Sequence, residues 1–264
     1  MAKKTLKDAI SYRCYRIIRW FVWLFYPKIE IVGTENLPDE PCLIVGNHAK
    51  MNGPIIGELY VPGNRAIWCA GEMMHLKDVP AYAYQDFWSG KPKSVQWFYK
   101  LLSYLIAPLA VCIFNQAHTI PVYKDSRILT TFRQTVTALA EGANVVVFPE
   151  CSEPCNHIIN QFRDGFTDIA RLYQRRCGKP LHFVPMYIAP DLKKAYLGTP
   201  VAYCSNAPKD IERQRICNYL TREITEIAVN LPFHTVIPYN NISKKDYPTN
   251  IPCERGAEYE TTCC

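Results

Sequence analysis

Two polar clusters in the sequence carry residue types suited to acid–base chemistry, and each follows a short apolar run. The first cluster, GNHAKMNGP at residues 46–54, follows CLIV and contains His48. The second cluster, FPECSE at residues 148–153, follows NVVV. An imidazole changes its protonation state near neutral pH, so a histidine between a strand and a helix suits the role of general base. A histidine at a strand end is also often purely structural, so the position of His48 alone does not decide between a catalytic and a structural role.

The elements that position these clusters alternate between strand and helix along the chain. Since buried strands that alternate with helices form sheets covered by helices, we expect an α/β fold with a mixed, largely parallel sheet. Ligands of such sheets bind at the carboxyl ends of the strands, where both clusters lie. Apolar runs predict strands at 29–32, 42–45, 66–70, 145–148 and 182–188, with a strand pair or a bent strand at 195–204. Helical spacing predicts helices at 54–60, 126–141, 164–176 and 209–230.

The start of the helix after His48 can also be predicted from residue types. Proline is favoured in the first turn of a helix, which suits Pro54, and Asn52 is a reasonable cap before it. His48 would then stand in the gap between a strand end and a helix start.

The N-terminal residues 10–26, ISYRCYRIIRWFVWLFY, combine aromatic residues with Arg13, Arg16 and Arg19. This composition is typical of an amphipathic helix at a membrane interface, and its apolar stretch is far shorter than a bilayer span of about 20 residues. The alternative is a helix that packs its aromatic residues on the body of the protein. A second apolar segment, residues 97–114, predicts either a buried helix or a second helix that lies on the membrane.

Composition and domain organisation fit a globular protein at a membrane surface. The formal net charge is +6, which suits anionic lipid or a phosphorylated ligand and does not call for nucleic acid as a partner. The cysteines lack paired zinc spacing and several lie in apolar runs, which indicates reduced thiols in the cytoplasm. We expect a membrane-interface helix at 1–28, an α/β domain at 29–232 and a surface wrap or frayed tail at 233–264.

The order of several segments resembles the glycerolipid (lysophospholipid) acyltransferase superfamily. That family has four blocks, and this chain has similar runs in the same order over residues 29–230. The matching runs are NHAKMNGP, TIPVYK at 119–124, FPECSEP at 148–154 and FVPM at 183–186, with the weaker FRDG at 162–165 and GTPV at 198–201.

The resemblance implies transfer of an acyl group from acyl-CoA or an acyl carrier protein to a hydroxyl of a lipid acceptor. It implies His48 as general base, Lys124 at a phosphate-binding position and Glu150 at a position that helps to hold the acceptor. Asn47 shapes the loop or contributes to binding. No cofactor is implied beyond the acyl donor, and no metal site.

This chain departs from the family pattern at two places. Gly53 occupies the position of the family's aspartate, which orients the histidine. Glu72 and Glu58 are the candidate replacements, and Glu150 is a further acid. The third block lacks its Gly-Thr-Arg, so Arg127 and Arg163 are candidates to supply the missing charge, and the acceptor is expected to differ from a simple glycerol phosphate.

Two other hypotheses remain open from the sequence. The departures at Gly53 and in the third block fit a non-catalytic relative that binds acyl chains or lysolipid. A cysteine hydrolase or thioesterase would use Cys151 as nucleophile, with His48 or His157 as base.

Overall fold

In the computed structural model, which describes residues 6–123 and 125–251, the apolar runs of the sequence form the strands. The strands are β1 (Glu30–Val32), β2 (Leu43–Gly46), β3 (Arg65–Ala70), β4 (Thr119–Val122), β5 (Asn144–Val147), β6 (Glu150–Pro154), β7 (Asn160–Phe162), β8 (His182–Ala189), β9 (Lys194–Leu197) and β10 (Val201–Ala202). The helices are α1 (Leu6–Phe25), α2 (Asn52–Leu59), α3 (Val79–Ala83), α4 (Gln96–Gln116), α5 (Ile128–Ala140), α6 (Ile169–Cys177) and α7 (Lys209–Val229).

The chain divides into two compact units, and the second contains most of the strands. Of the described residues, those within 6–27 and 67–134 form the first unit, and those within 28–66 and 135–251 form the second. Within the second unit the sheet order is β1-β9-β8-β2-β5, and β10 pairs with the start of β8. The pairs β1–β9, β8–β2 and β2–β5 are parallel, whereas β8–β9 and β8–β10 are antiparallel.

The central position of β2 explains its sequence. It lies between β5 and β8, and the side chains of Leu43, Ile44 and Val45 are fully buried. A strand that is covered on both faces needs apolar residues at every position, and CLIV and NVVV meet this requirement. The mixed, largely parallel sheet flanked by helices that the sequence predicts is therefore confirmed, and the run at 195–204 contains two strands, β9 and β10, which each pair with β8.

The first unit is built around α4 and a pair of parallel strands. In this unit β3 pairs with β4. The helix α1 packs against α4, where the thiol of Cys112 donates to the carbonyl oxygen of Ser11 at 3.4 Å and Tyr15 is buried. The N-terminal helix thus has one face against a helix of its own unit.

Much of α4 is exposed, so the prediction of a buried helix for residues 97–114 is wrong. Trp97, Tyr104 and Leu105 are each 68% exposed, and Phe98, Leu101 and Leu109 are also exposed. The helix segment Lys93–Gln116 is long and apolar enough to cross a membrane by length and composition alone. The other sequence-based alternative, a helix that lies on a membrane, stays a prediction.

The tail wraps the second unit as far as the structure describes it. Residues 234–250 close into a loop, which we call the C-terminal strap. The main-chain N–H of Val236 donates to the carbonyl oxygen of Pro248, and Thr235 and Thr249 form an antiparallel bridge. The domain boundaries predicted at 28 and 232 stay predictions.

Candidate functional site

Asn47 joins the end of β2 to β8. Its side chain is 2% exposed, its Oδ1 accepts a hydrogen bond from the N–H of Ile188 at 2.7 Å, and its Nδ2 donates to the carbonyl oxygen of Ile188 at 3.2 Å. The amide thereby continues the sheet hydrogen bonds one residue beyond the strand. Both polar atoms of this side chain therefore hydrogen-bond to the main chain of Ile188.

The residues after His48 turn sharply before α2 begins. Ala49 and Lys50 have φ angles of 44° and 56°, a left-handed conformation that is uncommon for residues other than glycine. The prediction of Asn52 as helix cap is wrong, because Met51 holds the cap position and the helix starts at Asn52. The Asn52 amide donates instead to the carbonyl oxygen of Ala49 at 2.9 Å, which supports the turn.

Glu150 connects the two polar clusters, which are about a hundred residues apart in sequence. Its Oε1 accepts a hydrogen bond from the main-chain N–H of His48 at 2.5 Å, and its Oε2 accepts one from the N–H of Asn160 at 3.0 Å. Glu150 as a residue is 5% exposed. Burial raises the pKa of Glu150 to about 7, although the two N–H donors act in the opposite direction. A buried acid thus fixes the main chain of His48.

Two aromatic rings border the imidazole of His48. The ring of Phe148, which follows β5, lies edge-on with its centroid 5.5 Å away. The ring of Tyr239, from the strap, lies edge-on at 5.7 Å. His48 itself is only partly buried. The imidazole therefore lies at the surface of the second unit in an aromatic setting, at the carboxyl end of a parallel strand.

No side chain fits at Gly53, where the resembled family has its aspartate. A Cβ atom there would lie 2.4 Å from the carbonyl oxygen of His48 and 3.0 Å from the Phe148 ring. The main-chain N–H of Gly53 also donates to that same carbonyl at 3.0 Å. The loop is closed on itself at this point, so the glycine is required by the packing of this particular turn.

The candidate acids for orienting His48 lie in different places. Glu58 lies near the end of α2, about 9 Å along the helix axis from Asn52 at the rise of an α-helix. Its carbonyl oxygen accepts from Nε of Arg65 at 3.0 Å. Glu72 lies in the first unit, where its charge acts on Arg127 and Cys69. Glu150 has a hydrogen bond to His48, through the main chain of that residue.

The predicted phosphate-binding cations are Lys124, Arg127 and Arg163. Lys124 lies outside the described residues. Arg127, in the first unit, is exposed, pairs with Asp125 at 2.7 Å and stacks on the Tyr123 ring at 4.0 Å. Its guanidinium lowers the pKa of Asp125 to about 2. Arg127 therefore has a carboxylate as its partner at the surface of the first unit.

Arg163 lies in the second unit, beside the third block. It is exposed, and its main-chain N–H donates to the carbonyl oxygen of Pro149 at 2.9 Å. The pKa of Glu153 is lowered chiefly by a hydrogen bond from Cys151 and also by the charge of Arg163. The positive charge of Arg163 therefore interacts electrostatically with the carboxylate of Glu153.

The environment of Cys151 does not suit a nucleophile. The side chain is 9% exposed, and burial is the main factor that raises the pKa of its thiol. A reactive thiol needs the opposite, a lowered pKa in an electropositive, accessible position. The ring of His157, the alternative base, has the carbonyl oxygen of Asn250 as a hydrogen-bond partner at 3.2 Å.

Residue types and spacing do not predict that the strap borders this site. Tyr239 borders His48, the amide of Asn240 donates to the carbonyl oxygen of Ser152 at 3.0 Å, and Nζ of Lys50 donates to the Tyr247 hydroxyl at 2.5 Å. The strap therefore contacts both polar clusters. Its residues show neither strand nor helix periodicity, so only the folded structure reveals them as part of the site.

Among known proteins, a distant similarity in fold is found. No family model and no curated protein matches the chain. Among solved structures, the chain is similar to the crystal structure of the 1-acyl-sn-glycerophosphate (LPA) acyltransferase PlsC from Thermotoga maritima. The two share 17% identity over 84% of this chain and 81% of that chain, with a TM-score of 0.46. A likeness of this degree carries no functional argument, so the function rests on the site itself.

Proposed function

We propose that the protein is an acyltransferase that moves a fatty acyl group from acyl-CoA or acyl carrier protein to a hydroxyl of a lysophospholipid-like acceptor. The observation that carries the proposal is the hydrogen bond between the His48 main chain and the Glu150 carboxyl group. It brings together the first and third of the sequence runs that resemble the acyltransferase blocks. The meeting point is the carboxyl edge of parallel strands, where ligands of such sheets bind.

In the proposed reaction His48 acts as general base. The imidazole takes the proton of the acceptor hydroxyl while the oxygen attacks the thioester carbonyl carbon. A C–O bond forms, the C–S bond breaks, and the proton passes from the imidazolium to the leaving thiolate. Phe148 and Tyr239 supply apolar walls, which lower the local dielectric around the base.

The test is transfer of a labelled acyl group by the purified full-length chain to a panel of lysolipids. We expect His48→Ala to reduce transfer by roughly 10²–10⁴-fold, the contribution of a positioned general base. The matched control is His182→Ala, because His182 is also partly buried in the second unit but lies at the amino end of β8. Cys151→Ala should keep its activity. Transfer that survives in His48→Ala but is lost in Cys151→Ala would support the thiol mechanism instead.

A second candidate function is a non-catalytic protein that binds acyl chains or lysolipid. The observation that favours it is Gly53, whose surroundings exclude the orienting aspartate of the resembled family. This function would be supported, and the enzyme opposed, if the chain bound lysolipid tightly but transferred no acyl group from either acyl-CoA or acyl carrier protein.

We also propose that the protein works on a membrane surface through α1 and α4. Both helices expose large apolar side chains, and α1 adds arginines. A partly open cavity of about 260 Å³ on α1 is lined by Arg16, Arg19, Trp20 and Trp23. Aromatic residues favour the headgroup region and arginines favour anionic lipid, so the surface suits peripheral attachment.

A further inference from the structure

The ammonium group of Lys50 lies next to the His48 loop with a neutral partner. Its Nζ donates to the hydroxyl of Tyr247 at 2.5 Å and lies 4.8 Å from the centroid of the same ring. Within residues 6–123 and 125–251, no carboxylate forms an ion pair with it. Its positive charge is thus held in one place and stays available to an anion.

The main chain also fixes the direction of the Lys50 side chain. Ala49, which is fully buried, and Lys50 are both left-handed. Such a conformation persists only where the surrounding structure holds it. Here the carbonyl oxygens of His48 and Ala49 accept hydrogen bonds from the N–H groups of Gly53 and Asn52 at 3.0 and 3.1 Å. The lysine therefore starts from a rigid turn, two residues after the proposed base.

The strap holds Tyr247 from the other side. At its base the buried Asn250 accepts from the N–H of His234 at 3.0 Å and donates to the carbonyl oxygens of Ala228 and Leu231 at 2.9 and 3.0 Å. The His234 ring in turn hydrogen-bonds the hydroxyl of Tyr187, a residue of β8, at 2.8 Å. The strap is thereby anchored to the sheet that carries His48.

We propose that Lys50, positioned by Tyr247 of the strap, binds a phosphate group of the substrate. This inference rests on the proposed function, because it adds the phosphate-binding position to the same site. The third block lacks its arginine, Arg127 is paired with Asp125, and Arg163 shares its field with Glu153. A lysine ammonium with a neutral partner forms a charge-assisted hydrogen bond with a phosphate oxygen. The phosphate belongs either to the acceptor headgroup or to coenzyme A.

The test is calorimetric titration of the full-length chain with matched probes. Glycerol 3-phosphate against glycerol represents the headgroup, and adenosine 3′,5′-bisphosphate against adenosine represents coenzyme A. We expect Lys50→Met to weaken binding of a phosphate probe about tenfold or more, and Lys50→Arg to retain it. Tyr247→Phe keeps the ring but loses the hydroxyl, so it should weaken binding less. Lys244→Met, an exposed lysine of the strap, is the control and should bind as the unmodified chain does.

The outcomes distinguish the acceptor headgroup from coenzyme A as the source of the phosphate. They also test the phosphate site separately from the acyltransferase activity. Loss confined to glycerol 3-phosphate assigns Lys50 to the acceptor, and loss confined to the bisphosphate assigns it to the donor. The inference would be overturned if the unmodified chain and Lys50→Met bound the phosphate probes equally. It would also be overturned if the unmodified chain bound neither phosphate probe more tightly than its unphosphorylated counterpart. Because binding is measured without turnover, Lys50-dependent phosphate binding in a chain that transfers no acyl group would reject the enzyme and keep the phosphate site.

Discussion

A Cβ atom at Gly53 would lie 2.4 Å from the carbonyl oxygen of His48, closer than any real Cβ contact. We therefore expect that Gly53→Asp, the substitution that restores the sequence pattern of the resembled family, neither raises acyl transfer nor orients His48. Instead, the turn must open to accept the side chain. Overpacking of this kind costs about 1–3 kcal/mol of unfolding free energy, which urea denaturation measures.

The control for this substitution is Gly90→Asp. Gly90 is exposed, and a Cβ atom there meets nothing within 4 Å. Its unfolding free energy should change by less than about 0.5 kcal/mol. The packing argument would be contradicted if Gly53→Asp were as stable as Gly90→Asp and transferred acyl groups faster than the unmodified chain.

The carboxyl group of Glu150 is expected to matter first for the position of the His48 loop. Glu150→Ala leaves the N–H groups of His48 and Asn160 without their acceptor, and each unsatisfied buried donor costs about 1–3 kcal/mol. We expect a loss of about 2–6 kcal/mol in unfolding free energy together with a strong loss of transfer. Glu150→Gln keeps one acceptor and should lose less of both.

Glu153→Ala is the matched control for Glu150, because it removes an exposed carboxylate from the same hairpin. Its unfolding free energy should stay within about 1 kcal/mol of the unmodified chain. Equal losses in Glu150→Ala and Glu153→Ala would mean that the buried hydrogen bonds do not hold the loop.

The raised pKa of Glu150 predicts a specific dependence of stability on pH. Below its ordinary value of 4.5 the group is protonated in both the folded and the unfolded chain. Between 4.5 and about 7 the unfolded chain releases the proton while the folded chain keeps it, so stability falls as pH rises. Since each pH unit contributes about 1.4 kcal/mol, this fall is roughly 3 kcal/mol and levels off above neutrality.

Glu150→Gln isolates this contribution, because glutamine does not titrate. The difference in unfolding free energy between the unmodified chain and the variant should change between pH 4.5 and pH 7 in favour of the variant. A difference that stays constant over this range would show that the carboxyl group titrates normally in the folded chain.

The strands that carry the site can be predicted from the sequence, because their burial requires a local run of apolar residues. Buried parallel strands need apolar residues on both faces, so β2 and β5 stand out as CLIV and NVVV. The carboxyl ends of parallel strands share one edge, and this predicts that both polar clusters lie at that edge, but it leaves Glu72 and Glu58 as the favoured acids for His48. The sequence does not show that Glu150 meets the main chain of His48, because that depends on the turn that follows.

The rest of the site depends on contacts that leave no local pattern. Asn52 has the residue type of a helix cap, but the left-handed pair Ala49 and Lys50 moves the start of the helix, so Met51 holds that position. Tyr239 and Tyr247 come from a tail without periodicity, and long-range hydrogen bonds at His234 and Asn250 hold them in place. Residue types predict neither the conformation nor the contacts.

The exposed apolar surfaces of α1 and α4 predict attachment to lipid vesicles. Trp20 and Trp23 are 53% and 43% exposed, and Leu101 and Leu105 are 53% and 68% exposed. Full burial of a large apolar side chain contributes about 1.5–3 kcal/mol, so partial burial of two should change the partition coefficient about tenfold or more. We expect that Trp20→Ala with Trp23→Ala, and separately Leu101→Ser with Leu105→Ser, reduce flotation with anionic vesicles by about this factor.

The control is Ile211→Ser, which removes a 62% exposed apolar side chain from α7 in the second unit and should float as the unmodified chain does. Arg16→Gln with Arg19→Gln should reduce flotation on anionic vesicles more than on zwitterionic ones, and added salt should diminish that difference because it screens the exposed charges. Deletion of residues 1–27 removes both the tryptophans and the arginines of the N-terminal helix, so it should reduce flotation more than either pair of substitutions. If the deleted chain floats as well as the unmodified chain, α1 has no part in membrane attachment, and its exposed tryptophans need another explanation.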